Sequence, residues 1–130
     1  MTIWVPVSLG ELVDKITILE IKTSRIDDPE KIHFISTELA LLTEVLEKTG
    51  LEVPEVLRQE LYSINLSLWK IEEEIRERER RADFGEAFIE LSRAICQTND
   101  MRSLLKHQIA ELDGASSIRE QKSYLPTTWG

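Results

Sequence analysis

Four stretches of this chain repeat apolar residues at intervals of three and four, and each is bounded by residues that start or stop an α-helix. Only short breaks separate them, so almost any fold other than a packing of helices is excluded. Ser8-Leu9-Gly10-Glu11 is a capping box, with Val7 and Leu12 placed as a hydrophobic staple. The first helix then runs to about Ile26, with Leu9, Leu12, Val13, Ile16 and Leu19 on one face. Asp28-Pro29 is an N-cap followed by proline at the first helical position. It opens a second helix in which Ile32, Ile35, Leu39, Leu42 and Leu46 form a seam close to that of a coiled coil, and Gly50 stops it. Phe34, Leu41 and Val45 give this helix a second apolar edge and imply neighbours on two sides.

Pro54 opens the third helix, whose core stripe is Leu57, Leu61, Ile64, Leu68, Ile71 and Ile75. Beside it runs a second stripe, Asn65, Trp69, Glu72 and Arg76. The segment from Glu72 to Arg81 holds five acids and four arginines and reads as an ion-paired, solvated surface. Asp83-Phe84-Gly85-Glu86 offers a cap of the same logic as the first, and the fourth helix extends to Asp113 before Gly114. Short connections make neighbouring helices antiparallel, so the expected fold is all-α: an antiparallel up-down-up-down bundle of four main helices. Residues 3 to 7 form a short extended N-terminal arm able to pair only as an edge strand. Ser117-Ile118-Arg119-Glu120 is a further capping box, giving a short C-terminal helix or a flap.

A chain of 130 residues supports one such domain, residues 1–130. Its net charge of −8 opposes binding to a phosphate backbone or an anionic membrane, so neither nucleic acid nor membrane is an expected partner. Cys96 is the single cysteine, which rules out an intrachain disulfide and suits a cytoplasmic protein. It reads as a semi-buried, inert residue. No HExxH, CxxC or paired Glu-x-x-His spacing is present, and no metal or other cofactor is expected.

The residues that point to function are polar groups on or beside core-facing stripes. On the fourth helix Asn99, Arg102 and Lys106 share a stripe with Phe88, Leu91, Ile95, Ile109 and Leu112. Glu20 projects into the apolar face of the first helix. Reflecting the helices about their turns sets Glu20, Asn65, Trp69, Asn99 and Arg102 within a slab about two turns thick. Lys106 falls about a turn and a half away, level with Gly10. A Glu20–Arg102 ion pair supported by Asn65 and Asn99 would satisfy most of these groups. Glu11 and Lys15 read as an ordinary i,i+4 surface pair, and Glu72 lies nearer Arg93.

Two readings follow and the sequence leaves both open. In one, the cluster is structural, in a non-catalytic binding or interaction module. In the other, Arg102, Lys106 and Lys15 grip a phosphate- or carboxylate-bearing metabolite in a small cofactor-independent enzyme or sensor, with Glu20 as acid or base. That class has a loose likeness to the all-helical chorismate mutases, whose arginine and lysine pattern is not found on the first helix here. Helix length adds a partner. The third and fourth helices outreach the first two, leaving Ile75, Phe84, Phe88 and Ile89 for a homodimer contact.

The motifs Gly10-Glu11-x-x-Asp14-Lys15-x-x-Ile18-Leu19-Glu20-Ile21-Lys22, Asn65-x-x-Leu68-Trp69-x-Ile71-Glu72, Asn99-Asp100-x-Arg102 and Glu120-Gln121-Lys122-Ser123-Tyr124 occur together. In this the chain resembles a family of short bacterial proteins known as a domain of unknown function. The resemblance spans nearly the whole chain and implies no activity. It implies that the segment from Glu120 to Tyr124 belongs with the helical motifs.

Overall fold

The computed structural model describes residues 1–114 and consists of four α-helices: α1 (Leu9–Arg25), α2 (Pro29–Thr49), α3 (Glu55–Arg80) and α4 (Glu86–Ala110). A 3-10 turn, Glu111–Asp113, follows α4. The helices pack as a bundle centred on α1, which touches all three others, while α3 and α4 make an extended pair. The C-terminal capping box and the flap lie outside the described residues.

Local chemistry accounts for the helix ends. The Ser8 hydroxyl accepts from the Glu11 backbone N–H at 3.1 Å, and the Asp28 carboxylate accepts from that of Glu30 at 3.0 Å. Each satisfies a donor that has no partner within its helix. Gly50 ends α2 with φ 69° and Gly114 follows the 3-10 turn with φ 68°, a left-handed conformation in which a side chain would be strained. The start of α4 differs from the sequence expectation. Gly85 is the N-cap with no side-chain cap bond; Asp83 instead accepts the Gly85 N–H at 3.3 Å and pairs with Arg78 at 2.6 Å.

The core is built from Leu9, Leu12, Val13 and Ile16 of α1 with Leu46, Leu61, Leu105 and Ile109 from the other three helices. Nine of the seventeen α1 residues are buried, against one, Leu46, in α2. The second apolar edge expected of α2 is therefore uncovered: Phe34 and Leu41 are exposed, and only Val45 of that trio packs on the core. α2 is peripheral because α1 is the only helix on which it packs extensively. The N-terminal arm is in contact with no sheet, and no strand is present among the described residues. From Leu66 to Arg102 no residue is buried, so the α3–α4 hairpin projects beyond the core. There Phe84 and Ile89 are exposed, and Ile75 and Phe88 half-buried.

Candidate functional site

The buried face of α1 is wider than its leucine stripe. Gly10, Asp14, Thr17 and Ile21, spaced four, three and four, form a second buried row, as a helix with three neighbours requires. Gly10 lets α4 approach. A Cβ there would lie 2.0 Å from the Lys106 carbonyl oxygen, so no larger residue fits without moving a helix backbone. One turn on, Asp14 is 1% exposed and lies where α1, α3 and α4 meet.

Asp14 is the hub of the polar cluster. Its Oδ1 accepts from Asn65 Nδ2 at 2.9 Å and from Arg102 Nε at 3.0 Å, and its Oδ2 accepts from Arg102 Nη2 at 2.5 Å. The guanidinium thus grips the carboxylate with two parallel bonds. Lys106, 6% exposed, places its Nζ 2.8 Å from Glu11 and 4.0 Å from Asp14. Two cations and two carboxylates make a neutral group, and burial strengthens each pair while penalising the loss of any member.

Several expectations are corrected here. Arg102 pairs with Asp14 and not with Glu20, whose carboxylate bonds Arg58 of α3 at 3.1 Å. The step of six residues from Asp14 to Glu20 turns the two side chains about 120° apart, and Asp14 is the one facing α4. Glu11 pairs with Lys106 and not with Lys15, which is exposed. That pairing also replaces the reciprocal half of the capping box. Glu72 pairs with Arg76 at 3.7 Å, and Arg93 with Glu90 at 3.4 Å. Cys96 is exposed, not semi-buried.

Beside the Asp14 hub lies a cavity of about 530 Å³ between α1, α3 and α4. Of the seven residues selected from the sequence, Asn65, Trp69, Asn99 and Arg102 line it. Lys106 sits in the ion-pair cluster, and Glu20 and Lys15 are not in the lining. Ile18, Ile21 and Leu68 supply apolar wall; Glu72, Glu73 and Arg76 are the further charged groups. These last form surface pairs, Glu73 with Arg25 at 3.8 Å and Arg76 with Glu72. The stripe Asn65, Trp69, Glu72, Arg76 therefore runs along one wall from floor to rim.

The polar groups of this cavity differ in how far the protein satisfies them. Trp69 Nε1 is buried with no hydrogen-bond partner among the described residues. A buried N–H left without an acceptor costs about 1–3 kcal/mol. Asn99 makes no side-chain hydrogen bond among the described residues. The described lining contains no Ser, Thr, Cys or His, and no group of three or more His, Cys, Asp or Glu among the described residues is placed to hold a metal. No helix among them is long and apolar enough to cross a membrane. Sequence inspection missed Asp14 and the apolar wall. The small-and-polar row Gly10, Asp14, Thr17 was the available signal.

Comparison with curated proteins and with solved structures finds no match. Residues 3–128 match the description of a family of unknown function (DUF6165), and the chain belongs to that family.

Proposed function

We propose that this protein is a binding module, and that the cavity between α1, α3 and α4 takes a small, largely apolar, uncharged molecule carrying a hydrogen-bond acceptor. The observation that carries this reading is Trp69, a residue of the cavity lining whose indole N–H is buried and without a partner among the described residues, beside the apolar wall of Ile18, Ile21 and Leu68. A carbonyl or ether oxygen placed there would remove the cost of the unmet donor, and Asn99 offers a second point of orientation. About 530 Å³ lies in the usual range for small-molecule sites.

Charge supports an uncharged ligand. Of the cations expected to grip an anion, Arg102 is engaged by Asp14 and Lys106 by Glu11, and Lys15 lies outside the lining. The lining carboxylates are likewise paired, Glu72 with Arg76 and Glu73 with Arg25. A thermal-shift screen tests this with amides, ketones and lactones set against matched carboxylates and phosphates. Uncharged acceptors are expected to raise the melting temperature of the wild type and to lose that effect in Trp69→Phe, which keeps an aromatic ring and removes the donor. Stabilisation by anions, lost in Arg102→Met, would overturn the proposal in favour of an enzyme or sensor of anionic metabolites.

A further inference from the structure

Residues 1–7 carry no charged side chain in a chain of net charge −8, and all seven are exposed. Trp4 is 69% exposed, and Ile3 and Val5 are similarly open to water. This is a concentrated apolar segment, without helix or strand, outside a firmly capped helix. A second apolar feature lies elsewhere on the molecule, a groove of about 630 Å³ between α3 and α4. Val56 and Leu104 in its lining are each 65% exposed, and Met101 is exposed with them. An extended peptide laid on helices must find partners for its backbone N–H and C=O groups. Gln59, Ser63 and Gln108 in the same lining can each donate and accept.

The dimensions agree. Val56 to Ser63 covers about 10 Å of helix, the length of about three residues of extended chain, and Ile3-Trp4-Val5 is three residues. Pro6, which lacks an N–H, removes one donor from the segment that must be satisfied. The arm is rooted at Ser8, on the side of α4 that faces α1, where Gly10 meets Lys106. Leu104 and Gln108 each lie two residues from Lys106, about 200° round the helix, so the groove opens on the opposite side. We propose that the N-terminal arm of one copy occupies the α3–α4 groove of a second copy, and that mutual exchange of arms makes a two-fold dimer. This interface is separate from the ligand cavity and independent of what fills it.

Sedimentation of the full-length protein over a dilution series tests the exchange. The wild type is expected to be a dimer at micromolar concentration. Trp4→Glu and Leu104→Glu, both at exposed positions, are expected to weaken it at least ten-fold, with circular dichroism and melting temperature of the monomer unchanged. Mixing the two variants is expected to restore dimer in part, because one of the two contacts in the mixed dimer pairs an intact arm with an intact groove. A monomeric wild type, a dimer indifferent to both substitutions, or a mixture that stays monomeric at ten-fold higher concentration would each overturn the proposal. A dimer broken only by Phe84→Glu or Ile89→Glu would overturn it too, placing the contact at the hairpin tip.

Discussion

Asp14 and Trp69 face the same meeting of α1, α3 and α4, yet one is saturated and the other is not. The Asp14 carboxylate takes three hydrogen bonds from Asn65 and Arg102 and has Lys106 within 4.0 Å. The Trp69 indole N–H has no partner among the described residues. A polar group with every bond made holds a fold together, whereas one left open beside a cavity costs stability that only another molecule can return. The contrast separates a structural cluster from the proposed binding site. It also assigns different consequences to their loss.

The largest expected effect comes from Asp14→Ala. It leaves the Arg102 guanidinium and the Asn65 amide facing a buried gap, and unfolding in urea should register a loss of about 3–5 kcal/mol. Combining Asp14→Leu with Arg102→Met removes both charges, and should recover much of that loss if the pair serves packing and helix register alone. Next is Gly10→Ala, whose methyl meets the Lys106 carbonyl of α4; overpacking against backbone should cost about 1–3 kcal/mol in the same assay. Trp69→Phe should break the pattern. The gain from removing an unmet donor is offset by the packing lost with the smaller ring, so the net change in stability should be less than about 1 kcal/mol, while stabilisation by uncharged fragments disappears.

The smallest effect concerns the hairpin tip. The Arg78 guanidinium, and then the Gly85 N–H, hold the Asp83 carboxyl below the ordinary aspartate range. A lowered carboxylate contributes stability above its unfolded value, and that contribution fades as the pH falls through the lowered one. Carbon-13 titration should therefore show Asp83 ionising below an unperturbed aspartate, with its midpoint moving upward in Arg78→Met. The overall unfolding free energy should scarcely respond, because the pair is partly open to solvent, which screens it.

What could be read from the sequence follows from the range of the interactions involved. The boundaries at Ser8, Asp28 and Gly50 are set by hydrogen bonds and backbone torsions spanning two or three residues, so residue identity suffices. The buried side of α1 was less legible, because a helix with three neighbours buries more than its most apolar stripe, and Gly10 and Asp14 do not look apolar. Periodicity supplied the direction of Glu20 but not the helix it meets, so the salt bridge was given to the wrong carboxylate. Asn65, Trp69, Asn99 and Arg102 were found because their anomaly, polarity on a core-facing row, is itself local. That Phe34 lies open to water depends on where α2 ends up, which no window of sequence contains.

The most direct test is the indole N–H resonance of Trp69 in a nitrogen-15 spectrum, identified by its absence in Trp69→Phe. The expected result is a progressive downfield displacement on titration with an uncharged carbonyl compound that stabilises the protein, and no displacement with phosphate or acetate. Stabilising compounds that leave this resonance unmoved, or displacement by the anions alone, would contradict the assignment of the cavity as a site for uncharged ligands.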